Sequence, residues 1–263
     1  MSLLVKAARD HRDLVSVTPA SAGWSYVGFS AHRLAAGERL SVQRPGREAC
    51  VVVLSGRVDV EGFGASWPDL GTRENVFDDR APDAVYFPDA SRIDVRARTN
   101  AEVAVADAPG GAALPARRID PATMKRSVRG RGSNTRTVRD ILPESEPAAN
   151  LLVVEVRTPS GHSSSYPPHK HDRDDPPNET SLEETYYHRL DPPQGFVFQR
   201  VYTDDRSIDE SMAVEDGDVV MVPRGYHPVV VPHGYQSYYL NVMAGPKRAW
   251  HFRNDPAHEW MLK

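Results

Sequence analysis

Hydrophobic positions along this chain fall in short runs of β-branched and aromatic residues, separated by Gly, Pro and Asp. Little of the chain has the periodicity of an amphipathic helix, so the pattern predicts an all-β sandwich or barrel of short strands. The predicted strands are residues 24–34, 48–54, 84–88, 92–105, 151–156, 183–190, 196–202, 218–223, 227–231 and 235–243. Residues 121–142 are the exception, and we expect a helix or irregular structure there.

The two halves of the chain resemble each other. Asp-Ala-Val-Tyr-Phe-Pro at 83–88 aligns without gaps with Asp-Val-Val-Met-Val-Pro at 218–223, an offset of 135 residues. Ala36-Gly37 corresponds to Ser160-Gly161 at an offset of 124, and the charged, Pro-rich stretch 172–181 reads as a loop insertion that explains the difference. The alignment indicates an internal duplication, with chance similarity between β-rich segments as the alternative.

The duplication suggests where the domains lie. We expect a first barrel at residues 1–112, a basic connecting segment at 113–140 and a second barrel at 141–263. Residues 117–139 contain eight Lys or Arg and one Asp. They lack the interleaved aromatic residues that stack on nucleic-acid bases, so a solvated connection or a crossing between barrels is favoured.

Composition limits the partners and the location. A length of 263 residues and an apolar fraction of 40% allow a substantial core, while a net charge of −4 gives no global attraction for nucleic acid or anionic membrane. The lone cysteine, Cys50, lies in an apolar run and is expected to be a buried hydrophobe. No secretion signal or membrane-length apolar stretch is seen, so we expect a soluble, cytoplasmic protein.

Histidines are concentrated in the second half, where eight of the ten lie after residue 160. His169 and His171 are separated by one residue, so on a strand both imidazoles project from the same face. Glu184 on the next predicted strand and His227 after Pro223 complete a set that suits Zn, Mn, Fe or Ni. We therefore expect one divalent metal ion in the second half.

The aligned positions of the first half cannot supply the same ligands. Pro45 and Arg47 stand where the second half has its His-x-His pair, and Arg92 stands where it has His227. The first barrel is therefore expected to bind no metal.

These residues resemble the two motifs of the cupin superfamily. The first motif is matched by Gly161, His169, His171, Glu184 and Gly195. The second is matched by Gly217, Pro223, Gly225, His227 and Asn241. The interval from His171 to Glu184 is longer than the usual pattern, and the interval from Gly225 to His227 is one residue shorter.

Within that superfamily, longer blocks at 71–77, 165–172, 182–188 and 192–203 resemble the family of 5-deoxy-glucuronate isomerases, which is related to the uronate ketol-isomerases. The resemblance implies a bicupin fold of two jelly-roll-like barrels. It also implies a divalent metal, with zinc expected and manganese or iron as alternatives. The implied reaction is isomerisation of 5-deoxy-D-glucuronate to 5-dehydro-2-deoxy-D-gluconate in inositol catabolism, with a small sugar acid as substrate.

Such a reaction moves a proton between neighbouring carbons through an enediol, which a Lewis acid stabilises without redox chemistry. Strand alternation places Tyr186 on the same face as Glu184, so these two are the expected catalytic residues. A packed core tyrosine is the alternative interpretation of Tyr186. Arg200, or an arginine of 117–139, is expected to bind the substrate carboxylate.

Two other functions compete with the isomerase. The first is an Fe(II)-dependent cupin dioxygenase with a two-His, one-carboxylate centre. The second is a sugar-binding cupin without enzymatic activity. Because edges of cupin sheets can pair between subunits, a homo-oligomer is also expected.

Overall fold

The computed structural model describes residues 2–262 and consists mainly of antiparallel strands. In the first half these are β1 (Leu4–Val5), β2 (Asp13–Val17), β3 (Gly28–Leu34), β4 (Arg39–Arg44), β5 (Arg47–Ser55), β6 (Val58–Gly62), β7 (Ala65–Leu70), β8 (Asp83–Phe87), β9 (Ala90–Ala97) and β10 (Ala101–Pro109). They are followed by β11 (Arg117–Ile119), β12 (Arg126–Arg129), β13 (Arg136–Leu142), β14 (Leu152–Thr158), β15 (Ser163–Ser164), β16 (His169–Lys170), β17 (Glu183–Asp191), β18 (Phe196–Tyr202), β19 (Asp209–Glu215), β20 (Val219–Val222), β21 (Val229–Val230), β22 (Gln236–Ala244) and β23 (Arg253–Asn254). Helical structure comprises α1 (Pro19–Ala22) and 3₁₀ turns at Pro121–Thr123, Gly132–Asn134 and Pro256–Leu262.

Each half has an inner sheet and an outer sheet. The inner sheets have the strand orders β11-β8-β5-β10-β3-β2 and β1-β20-β17-β22-β14-β13-β12. The outer sheets have the orders β4-β9-β6-β7 and β15-β21-β18-β19. Strands β8, β5, β10, β3 and β2 therefore occupy the same places as β20, β17, β22, β14 and β13. The fold is an all-β bicupin, as the sequence predicts.

The inner sheets are buried on both faces. On β5, Val53 faces the core of the first barrel, whereas Val52 and Cys50 face the core between the two inner sheets. On β17, Tyr186 faces the second barrel and Tyr187 faces the core between the sheets. Double burial explains why β5 reads as a continuous apolar run from Ala49 to Leu54, because neither face of that strand needs polar residues. Cys50 is buried as expected, and burial raises the pKa of its thiol to about 12.

The expectation of a helix or irregular structure over residues 121–142 is wrong for half of that segment. Strands β12 and β13 form a hairpin there, and β13 pairs with β14 of the second half. Strand β11 pairs instead with β8 of the first half. The connecting segment thus contributes strands to both inner sheets, and its many charges conceal the alternation that marks a strand.

Two further features of the chain differ from the expected strand pattern. The run 92–105 is divided into β9 and β10, which a turn at residues 98–100 separates. The N-terminal strand β1 crosses to the second half, where Leu4 pairs with Val220 of β20. Across residues 2–262, none of the helices has the length and apolar character that crossing a membrane requires.

Candidate active site

Three of the four predicted metal ligands meet inside the second barrel. His171 Nε2 lies 3.0 Å from Glu184 Oε2, and His227 Nε2 lies 3.2 Å from the same oxygen. All three side chains are buried, and their ligand atoms lie within 4.8 Å of one another. In the part of the chain that the structure describes, no other group of three His, Cys, Asp or Glu residues is as close.

Backbone carbonyls orient the two imidazoles. His171 Nδ1 lies 3.0 Å from the carbonyl oxygen of Leu182, and His227 Nδ1 lies 2.8 Å from that of Gly225. A carbonyl can only accept, so both rings carry a proton on Nδ1, and this contact turns their Nε2 atoms towards Glu184. His227 Nε2 is buried without a hydrogen-bond partner among the described residues. This orphaned nitrogen, beside a carboxylate, fits a metal ligand.

Local backbone geometry positions the ligands. Glu184 lies near the start of β17, opposite Val222 of β20, and His227 lies in the connection from β20 to β21. Gly225 has a φ of +99°, and an added Cβ would come within 2.6 Å of the carbonyl oxygen of Tyr202. Only glycine allows this close turn, which directs His227 into the barrel.

His169 lies at the edge of the cluster. Its ring centroid is 4.7 Å from that of His227 and 6.3 Å from that of His171. Strand β16, which carries His169, pairs with β23, where its partner is Asn254. The C-terminal segment therefore holds His169 in place, and the ring of Phe252 packs on it at 4.7 Å.

Burial and the charge of Glu184 together set the protonation of the three histidines. It lowers the pKa values of His169 and His227 to about 3, so both rings are neutral and able to bind a metal. Burial also acts on His171, but the hydrogen bond and charge of Glu184 outweigh it and raise its pKa.

Tyr186 lies beside the cluster, as strand alternation predicts. Its hydroxyl is 3.0 Å from Ser165 Oγ, and its ring centroid is 5.6 Å from that of His227. Burial, followed by the charge of Glu184, raises its pKa well above the usual value, so the phenol stays protonated. His188, further along the strand, is hydrogen-bonded to Gln199 at 2.9 Å, which fits a structural role.

A cavity of about 340 Å³ opens beside His169 and Tyr186. This volume is at the lower end of the range for small-molecule sites. Arg129, Arg136 and Phe252 of the C-terminal segment also line it. The lining of the cavity therefore includes one predicted ligand, His169, and two cationic side chains.

Arg200 does not reach the site. On β18 the side chains of Val197, Gln199 and Val201 are buried, which directs Arg200 outward. Its guanidinium binds both carboxylate oxygens of Asp209, at 2.7 and 2.8 Å, on the protein surface. The substrate-binding role expected for Arg200 therefore has no support in its position.

The neighbours of the predicted ligands face away, as their strand phase requires. Lys170 is buried and pairs with Asp204, and Glu183 accepts hydrogen bonds from backbone N–H groups at residues 25–27. In the first half, Arg47 pairs with Asp107, and Arg92 is 70% exposed and pairs with Asp94.

Sequence reasoning missed several residues of the cavity. Arg129 and Arg136 belong to the basic segment. The sequence indicated that an arginine of this segment could bind the substrate, but it did not show which arginines line the cavity. Tyr239 lies on β22, one of several apolar runs that contain tyrosines. The C-terminal residues Trp250 and Phe252 carry no motif, so only the folded chain reveals them.

The fold and the cluster define a two-barrel cupin whose second barrel contains a buried His–Glu cluster that could hold a metal ion. More specifically, the KduI/IolB family profile matches residues 3–261, and this chain belongs to that family. Two proteins named 5-deoxy-glucuronate isomerase are close relatives. The protein of Geobacillus kaustophilus is 53% identical over 251 residues, covering 95% of this chain and 91% of its own. That of Bacillus subtilis is 50% identical over 270 residues and covers 100% of both chains.

Solved structures agree with the fold. An IolB-like protein from Salmonella typhimurium superposes with a TM-score of 0.97 at 46% identity, covering 100% of both chains. The oxalate decarboxylase of Bacillus subtilis superposes with a TM-score of 0.64 at 12% identity, covering 97% of this chain and 80% of its own. At that identity the likeness concerns the fold alone.

Proposed function

We propose that this protein is an aldose–ketose isomerase that converts 5-deoxy-D-glucuronate to 5-dehydro-2-deoxy-D-gluconate in inositol catabolism. Relatives that share about half of its residues over nearly the full length carry that name. The observation that supports the chemistry is the buried cluster of His171, Glu184 and His227, which lies beside Tyr186 and next to a cavity of about 340 Å³.

We propose that His169, His171, Glu184 and His227 hold one divalent ion, and that this ion is zinc. The orphaned Nε2 of His227 and the carbonyl-bound Nδ1 atoms suit a cation with nitrogen and oxygen ligands. When bound, the ion would supply Lewis acidity that stabilises negative charge developing on the substrate. No oxidation state needs to change, so zinc suffices.

Protein side chains move the protons. The carbon that bears the hydroxyl loses a proton, and the neighbouring aldehyde carbon gains one. Glu184 directs Oε2 at two imidazoles, which leaves Oε1 to accept that proton and return it. Tyr186, which is protonated before the reaction, gives its hydroxyl proton to the aldehyde oxygen as negative charge develops there. The neighbouring substrate hydroxyl, which becomes the ketone, returns a proton to Tyr186, so the oxygen-bound protons balance.

We also propose that the two halves have different roles and that only the second binds metal. Residues 1–112 form most of a barrel without metal, residues 113–140 connect the halves and add strands to both inner sheets, and residues 141–263 form most of the metal-binding barrel. The ion pairs of Arg47 and Arg92 support this division, because they occupy the positions aligned with ligands. Strands β7 and β19 lie at sheet edges, where pairing between copies would produce a homo-oligomer that light scattering would detect.

The test uses the purified, metal-loaded protein and 5-deoxy-D-glucuronate. We expect a ketose product by NMR, with no consumption of oxygen or of a nicotinamide cofactor, and one zinc per chain by mass spectrometry. Oxygen uptake with iron in the site would favour the dioxygenase. Binding of the sugar acid without turnover would favour a sugar-binding cupin.

A further inference from the structure

Two arginines face each other across the β12–β13 hairpin. Arg129 and Arg136 are directly paired in the strand register, and both line the cavity beside His169 and Tyr186. Like charges at opposed positions destabilise a strand pair. An anion between or beside these guanidinium groups would offset that repulsion.

Arg136 has few partners of its own. Its Nη1 donates to the carbonyl oxygens of Asn134 and Tyr166, at 3.0 and 3.3 Å. Among residues 2–262, no carboxylate oxygen lies within 4.0 Å of its nitrogens, whereas Arg129 has Asp140 at 3.8 Å. A guanidinium offers five N–H donors, so most of those on Arg136 are available to a ligand.

The surroundings of Arg136 increase its need for an anion. Burial lowers the pKa of Arg136, and the nearby charge of Arg129 lowers it further, while Tyr239 and Tyr186 act in the opposite direction. A partly buried cation without a counter-ion is costly. A carboxylate in the cavity would remove much of that cost.

The other candidate arginines have partners or lie elsewhere. Arg139 contacts Glu155 at 3.4 Å, and Arg131 donates to the carbonyl oxygen of Leu262 at 3.0 Å. Arg200 is bound to Asp209 outside the cavity. Arg136 is therefore the arginine whose position and unused donors both suit a ligand in the active site.

We propose that Arg136, assisted by Arg129, binds the carboxylate of the substrate and selects sugar acids over neutral aldoses. A neutral aldose would offer a hydroxymethyl group there and leave the guanidinium uncompensated. A guanidinium fork matches a carboxylate in charge and geometry, so the selection is for the acid group itself. The inference rests on the proposed isomerase function, because it assigns one end of that enzyme's substrate.

The kinetic test compares two substrates in three proteins. The substrates are 5-deoxy-D-glucuronate and the matching aldose with a hydroxymethyl group in place of the carboxylate. Arg136→Gln should lower kcat/KM for the acid roughly 10- to 100-fold, mainly through KM, with little change for the neutral aldose. Arg200→Gln, which removes the same group from the surface, should behave as wild type. An equal loss on both substrates, or no loss on the acid, would overturn the inference.

Arg136→Lys is the second variant, because it keeps the charge and can replace part of the contact if Arg136→Gln folds poorly. It should keep a preference for the acid that is smaller than that of wild type. No preference change in a folded Arg136→Lys protein would also count against a bidentate contact.

A binding measurement separates this inference from the proposed reaction. D-Glucuronate has a carboxylate where D-glucose has a hydroxymethyl group. Each sugar is titrated into the metal-loaded protein, and binding is measured by calorimetry. We expect wild type to prefer glucuronate and Arg136→Gln to bind both alike. If the protein shows this difference in binding but has no isomerase activity, the carboxylate site is supported and the proposed reaction is refuted. An active isomerase whose preference survives in Arg136→Gln would overturn the carboxylate site alone.

Discussion

Glu48 of the first half and Glu183 of the second half each accept hydrogen bonds from backbone N–H groups of the other half. Glu48 accepts hydrogen bonds of 2.6–2.7 Å from the backbone N–H groups of residues 149–151. Glu183 accepts bonds of 2.7–2.9 Å from those of residues 25–27. The two carboxylates are 135 residues apart, and the two donor segments are 124 residues apart. These are the offsets of the sequence repeat, so the reciprocal contacts support an internal duplication.

Replacing Glu48 should therefore destabilise the joined halves. Glu48→Ala leaves one buried N–H group, two partly buried N–H groups and the Tyr86 hydroxyl without their acceptor, which should lower the free energy of unfolding by about 2–4 kcal/mol. Urea denaturation measures the change. Glu61→Ala, on the exposed side of β6, is the control and should lie within about 0.5 kcal/mol of wild type. Equal stability of the two variants would contradict the importance of this contact.

Metal content should depend on the cluster. His171→Ala removes a nitrogen that faces Glu184 and should reduce metal occupancy from one ion per chain to a small fraction. His258→Ala, which removes a partly exposed ring far along the chain, should retain the ion. Elemental analysis by mass spectrometry compares the two. Equal occupancy would refute the ligand assignment, and two ions per wild-type chain would refute the metal-free first barrel.

Tyr186→Phe should separate chemistry from metal binding. The phenyl ring keeps the packing against Tyr239, but the proton donor is lost, so kcat should fall roughly 10²- to 10⁴-fold at unchanged metal content. Tyr187→Phe on the opposite face of β17 is the matched control. It removes a 2.8 Å hydrogen bond to Glu102 and should reduce stability while leaving kcat unchanged. A fully active Tyr186→Phe enzyme would mean that Tyr186 is a core residue.

Acid should destabilise the protein partly through His188. Burial lowers its pKa from 6.5 to about 4, so the unfolded chain binds a proton on this ring more readily than the folded chain does. The stability that neutral His188 contributes is therefore present above pH 6.5 and declines as the pH falls towards 4, by up to about 3 kcal/mol.

The variant His188→Gln tests that dependence. Its urea midpoint should decline less than that of wild type between about pH 7 and pH 5, because the titrating group is gone. The exposed His233 provides the control, and His233→Gln should follow the wild-type profile. Identical pH profiles for wild type and His188→Gln would exclude this ring as the source.

The strand pattern and part of the site followed from local rules. Glu184 and Tyr186 could be placed on one face because side chains alternate along a strand, and His227 could be added because Pro223 and Gly225 mark the turn before it. The same rule could not show in advance which way Arg200 points. Its strand carries Phe196 and Phe198 on the outer face, so apolar residues on both sides hid the phase.

The sequence by itself determined the all-β architecture and indicated the repeat and the ligand types, because strand periodicity, turn residues and short spacings are local properties. Only the tertiary structure decided that Arg136 enters the cavity and that β23 holds His169. These contacts join segments far apart in the chain, and they depend on how the sheets twist and which faces they bury. No local sequence pattern predicts such contacts, so Arg136 can be distinguished from the other arginines of the basic segment only in the folded structure.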